Sequence, residues 1–204
     1  MKNTTIKKSP INASLNAVHR LKSNLGKSRK GQLGLSILGA LLALVIGALL
    51  TVPIVNAFLD SQRKTRVDAN LQDMRTIIAD VQRNFGTSNQ YGNLTTAVAV
   101  QSNVIPQRLR VAGTNTAQNS YNGNITLAPN TVTVANDSTV LTWNRVPRAD
   151  CADLVYGIEQ LARGVLVNTT AVKVNDGVID AATIATQCDS SAEVSIDVIF
   201  GRRG

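Results

Sequence analysis

The sequence predicts an α+β protein in which one long N-terminal helix packs on a small antiparallel sheet. Three observations carry that prediction. No Asp, Glu, Lys or Arg occurs from Leu33 to Leu59, a run long enough for a helix that spans a bilayer. Behind it, Val67, Leu71, Met74, Ile78, Val81 and Phe85 follow at spacings of 4, 3, 4, 3 and 4, an apolar stripe along one helix face. The last third holds short alternating segments, closed by "EVSIDVIF" from Glu193 to Phe200, together with both cysteines.

The first 34 residues form a basic leader. Lys2, Lys7, Lys8, Arg20, Lys22, Lys27, Arg29 and Lys30 lie there with no acid among them. The formal charge of +8 therefore belongs to the leader alone, because the remaining 13 bases balance all 13 acids. Basic residues on one flank of an apolar run are the pattern of a membrane-inserting segment. With the rest neutral, nucleic acid is not expected as a partner.

The helix is expected over 35–85. Its half 35–59 is apolar all round and its second half carries the stripe, which is expected to pack under the sheet. Pro53 removes a backbone donor and is expected to kink it. Gly86 supplies the stop. A competing reading is a cleaved secretory signal ending at "VNA", Val55 to Ala57. The amphipathic stripe that follows without a break argues against it.

Residues 86–204 form the head. The stretch 86–130 is rich in Asn, Thr, Ser and Gly and reads as loop. "TVTVANDSTVLTWNRV", Thr131 to Val146, reads as a hairpin about an Asn-Asp-Ser turn, with Trp143 in the core. A helix is expected from Ala149 or Asp150, with Leu154, Ile158 and Leu161 on its apolar face and Gly164 at its end. Asp150 and Asp153 read as capping residues at its start. "VLVN" and "AVKV" are strand candidates, "NDG" at 175–177 a turn, and Asp180 the N-cap of a helix from Ala181 to Gln187 that ends at Cys188.

No catalytic constellation is legible. The one histidine, His19, lies in the leader, so serine–histidine and cysteine–histidine sites and histidine-ligated metals are excluded beyond it. No phosphate-binding glycine loop is present. No cofactor and no metal are expected, and the protein is not expected to be an enzyme. Beyond a membrane-inserting segment, Cys151 and Cys188 would lie in an oxidising compartment, where a disulfide persists; two buried thiols are the alternative.

The motif "GLSIL", Gly34 to Leu38, behind a basic leader and opening a long apolar helix, resembles the processing site of type IV prepilins. The long leader, the 151–188 region and the surroundings of the cysteines, "LTWNRVPRADC" and "AATIATQC" before a final strand, resemble the type IVb branch, the PilS and bundle-forming pilins. The resemblance covers nearly the whole chain. It implies the pilin fold and a structural subunit, the major pilin of a filament for adhesion, aggregation or conjugation. It implies cleavage of the leader after Gly34 by prepilin peptidase and N-methylation of Leu35. A second register cuts after Gly31 and begins the mature chain at Gln32. The implied partners are other copies of the chain as a homopolymer, the peptidase, an inner-membrane assembly platform with its ATPase, and an outer-membrane secretin. The implied location is the bacterial inner membrane as precursor and an extracellular pilus afterwards. The family's glutamate at the fifth mature position is replaced by Gly39. A minor pilin or secretion pseudopilin, and a secreted or membrane-anchored binding protein, are the alternatives. The reading commits to one disulfide, Cys151 to Cys188.

Overall fold

The structure, a computed structural model, describes residues 36–86 and 90–201. Gly31, Gln32, Gly34 and Leu35 of the expected processing site lie outside the described residues, as do most side chains of 35–59. The chain divides into two compact units, Met1–Val55 and Asn56–Gly204. In the first, the described residues are helical from Ser36, and Leu41, Leu42, Leu44 and Val45 are exposed. Among the described residues no helix is long and apolar enough to cross a membrane.

Helix α1, Ser36–Val81, enters the second unit and ends in a π-helical turn, Gln82–Gly86. The elements that follow are α2 (Thr96–Gln101), β1 (Ala117–Gln118), β2 (Asn124–Asn130), β3 (Ser138–Pro147), α3 (Arg148–Ile158), β4 (Gly164–Val167), β5 (Thr170–Lys173), α4 (Ala181–Asp189) and β6 (Glu193–Gly201). The six strands form one antiparallel sheet in the order β1-β2-β3-β6-β4-β5. Alternation decides its faces. Val194, Ile196, Val198 and Phe200 of β6 are buried, as are Leu141 and Trp143 of β3, Val165 and Val167 of β4, and Ile125 and Leu127 of β2. They share one core with the α1 stripe.

Four expectations need correction. The stretch 86–130 is not mainly loop. Thr95 caps α2 by accepting the Val98 N–H, and β2 pairs with β3 from Ile125 to Asn130. Only two large apolar residues, Ile125 and Leu127, mark β2 in the sequence, too few to stand out among the Asn and Thr around them. Residues 131–137 form no strand. The Asp137 carboxylate accepts the N–H groups of Val132, Thr133 and Val134 at 2.9, 2.9 and 3.1 Å, which takes those donors away from any ladder. The hairpin is therefore β2–β3. Helix α3 ends at Ile158, Leu161 is exposed, and Gly164 opens β4 instead of closing a helix. Asp150 caps nothing: Pro147 is the N-cap and makes no side-chain cap.

The strand pair, the turn and the cap that follow α3 match the sequence pattern. Strands β4 and β5 flank the predicted connection. The Gly177 N–H closes the 174–177 turn onto the Val174 carbonyl at 2.8 Å. Asp180 caps α4 by accepting from Ala182 N at 3.0 Å and Thr183 N at 3.2 Å.

Candidate functional site: the seam between helix and head

The six stripe residues of α1 and its terminal turn, Val67, Leu71, Met74, Ile78, Val81 and Phe85, are all buried in the core. The stripe is wider than its spacing suggests. Ile77 is also buried, and so are two polar residues of the same helix, Asn70 and Asp73. Burying all of these on one helix is what anchors it to the sheet, since each fully buried aliphatic side chain contributes about 1.5–3 kcal/mol of transfer free energy.

Helix α3 lies close against α1. A Cβ on Gly157 would meet the Leu71 side chain at 2.5 Å, so any larger residue there would have to displace Leu71. The Arg75 guanidinium donates to the Gly157 carbonyl at 2.8 Å from the other side of the contact. Nearer the point where α1 enters the head, Asp150 is completely buried. Its carboxylate faces Arg66 at 3.2 Å and Arg63 at 3.7 Å. Arg63 also pairs with Asp153 at 3.1 Å and donates to the Ala149 carbonyl. A buried charge without such partners would cost several kcal/mol, so these arginines fix where α3 starts on α1. The Arg66 guanidinium also stacks 5.1 Å from the Tyr121 ring centroid. Burial pushes the Tyr121 hydroxyl above its ordinary range, and the Asp150 carboxylate beside it adds to the effect.

Cys151, the next residue in α3, forms a disulfide with Cys188 of α4, with a Cα–Cα distance of 5.7 Å. The bond joins the two helices that flank the β4–β5 hairpin. Farther along α1, the Asn70 side chain is buried with all its groups used. Its Nδ2 donates to the Arg66 carbonyl at 2.7 Å and to Ser120 Oγ at 2.6 Å, and its Oδ1 accepts the Trp143 indole N–H at 3.2 Å. Asp73 receives the Arg108 guanidinium.

Sequence reasoning missed Arg63, Arg66, Asn70 and Asp73. The signal was present: three of them lie one residue ahead of Val67, Leu71 and Met74, and Arg63 continues the spacing. The solvent face of α1 holds an open groove lined by Asp68, Leu71, Gln72, Arg75, Thr76 and Ala79. Among the described residues no group of His, Cys, Asp and Glu is placed to hold a metal ion. The arrangement is suited to joining parts of a protein and offers no assembled reaction centre among those residues.

The family model described as PilS N terminal matches residues 64–200. That span contains the stripe, both cysteines and the sheet up to Phe200 of β6. No curated protein matches the chain. Among solved structures, the chain is similar to the crystal structure of a type IVb pilin from Salmonella typhi at 20% identity, covering 68% of this chain and 99% of that one, with a TM-score of 0.49. It is similar to TcpA, a type IV pilin from Vibrio cholerae El Tor biotype, at 15% identity, 68% and 98% coverage and a TM-score of 0.43. An NMR structure of the type IVb pilin PilS from Salmonella typhi gives 16% identity, 67% and 96% coverage and a TM-score of 0.44.

Proposed function

The chain belongs to the PilS N-terminal family, and on that premise we propose that it is the major pilin of a type IVb pilus. At the coarser level it is a type IV pilin-like structural subunit. The observation that carries the finer reading is the family match over 64–200, which joins the amphipathic half of α1 to the whole sheet-bearing head as one family unit.

In this reading prepilin peptidase removes the basic leader after Gly34 and methylates the amine of Leu35; cleavage after Gly31 is the second register. The precursor waits in the inner membrane with the apolar stretch 35–59 in lipid and the head outside. The assembly platform and its ATPase extract the mature subunit, and the filament leaves through a secretin. The apolar half-helix then exchanges lipid for the same half-helices of other copies. Lipid tails and leucine side chains are equally apolar, so this exchange supplies little driving force, and packing and head contacts set the specificity. The filament serves adhesion, aggregation or conjugation. Gly39, in place of the family's glutamate, favours a second reading as a minor pilin or pseudopilin.

Intact-mass analysis of the processed protein tests the proposal. The expected mass is that of a chain beginning at methylated Leu35, or at methylated Gln32 in the second register. A bulky residue at Gly34 should leave precursor in the membrane. A chain beginning at Phe58 would overturn the pilin reading. Abundance in sheared filaments separates a major from a minor pilin.

A further inference from the structure

Arg63, Arg66, Asn70 and Asp73 are spaced 3, 4 and 3 residues apart and form a second, polar stripe beside the apolar one. Apolar contacts along a helix tolerate sliding, because one aliphatic residue replaces another after each turn. The polar stripe has no such tolerance. Its residues meet three kinds of environment: the Asp150 carboxylate shared by Arg63 and Arg66, with Asp153 and Tyr121 on either side, then the Ser120–Trp143 site, then Arg108. In order along α1 they present cation, cation, amide and anion.

We propose that this stripe is a register code that admits one axial setting of α1 on the sheet. A slip of one turn, about 5.4 Å, in one direction puts Asn70 opposite Asp150, Asp73 opposite Trp143 and Ser120, and Ile77 opposite Arg108. Asp150 then keeps one arginine instead of two, and the buried Asp73 carboxylate is drawn away from Arg108. A slip the other way brings the Arg66 guanidinium against the Trp143 indole N–H, donor against donor, in a place where Asn70 is now fully hydrogen-bonded. Either way a buried polar group loses its partner, which is the arrangement by which a single buried polar residue fixes register in packed helices. The inference concerns one chain and does not depend on filament assembly.

Trp143 is the only tryptophan, so its indole N–H gives one resonance in a 15N-labelled full-length chain held in detergent micelles. Asn70→Leu is expected to keep the helical circular dichroism but to give more than one indole resonance, from chains seated at different registers. Asp73→Arg is expected to do the same, and adding Arg108→Asp should restore a single resonance. A merely stabilising contact would lower the melting temperature and leave the resonance single. The proposal is overturned if the folded single variants each show one resonance, or if the splitting persists in the Asp73→Arg/Arg108→Asp protein. Should either single variant fail to fold, Asn70→Ser or Asp73→Asn takes its place with the same expectations.

Discussion

The head holds two buried carboxylates in opposite ways. Asp150 is gripped by side chains from a remote element: Arg63 and Arg66 of α1, more than 80 residues away in the chain. Asp137 is gripped first by its own loop, through the N–H groups of Val132, Thr133 and Val134, and then by Arg163 at 3.3 Å, which also reaches Asp176 at 3.0 Å. The first arrangement exists only when the helix is docked. Most of the second needs only a local turn. One acid thus couples distant parts of the fold, and the other shapes a connection that remains folded around itself.

The largest effect is expected from Cys188→Ser. The disulfide anchors the residue next to Asp150, and nothing covalent anchors Asp137. Losing a cross-link across 37 residues costs about 4 kcal/mol in the chain-entropy account. Guanidinium unfolding of the detergent-solubilised chain measures it, and Cys151→Ser/Cys188→Ser should be no worse than the single change. Next comes Arg63→Ala with Arg66→Ala, which leaves Asp150 buried without either of these counter-ions. Breaking a buried pair costs about 3–5 kcal/mol, and the lower end applies because Arg66 is itself half exposed. Hydrogen exchange should then rise in α3 and remain unchanged at Val132, Thr133 and Val134; equal loosening at both places would erase the contrast drawn here.

A smaller effect is expected from acid. Burial alone would push the Asp137 carboxyl up, but the backbone N–H groups of Val132, Val134 and Thr133 outweigh it and hold the group well below the usual carboxylate range. The native state therefore binds fewer protons than the unfolded one. The stability Asp137 adds is complete above pH ~4, and it is lost as pH falls through the depressed native range. Asp137→Asn should flatten that acid limb in thermal melts, and an unchanged limb would sink the assignment. The smallest effect belongs to Asp180, a locally held acid like Asp137 but exposed. The Thr183 hydroxyl and then the Thr183 N–H hold it below its ordinary range. Asp180→Ala should fray the first turn of α4, seen as faster exchange at Ala182 and Thr183, with little change in overall melting.

The same contrast explains what the sequence made legible. The α1 stripe and the strand β6 were readable because each repeats one apolar period long enough to exceed chance. Asp180 was readable because a cap acts within three residues. Asp137 sits in a segment whose alternation imitates a strand, and only the carboxylate's capture of three backbone donors reverses that reading. Asp150 looked like a cap because its partners are so remote in sequence. Asn70 and Asp73 gave a periodic signal, but polar residues on a helix are ordinarily solvated, and nothing local tells a buried amide from an exposed one.

Strand β6 is the last described element in chain order, yet it lies between β3 and β4. Its pairing with β3 and with β4 is the only strand contact joining the β1–β2–β3 meander to the β4–β5 hairpin among the described residues. A chain emerging N-terminus first therefore presents α1 long before the surface that covers it is complete. Until Glu193 to Gly201 arrive, the two parts of the sheet stand separate and the stripe from Val67 to Phe85 lacks much of its cover. The last strand made is thus the one that joins the two parts of the sheet, and a chain cut short before Glu193 would lack the ladder between them.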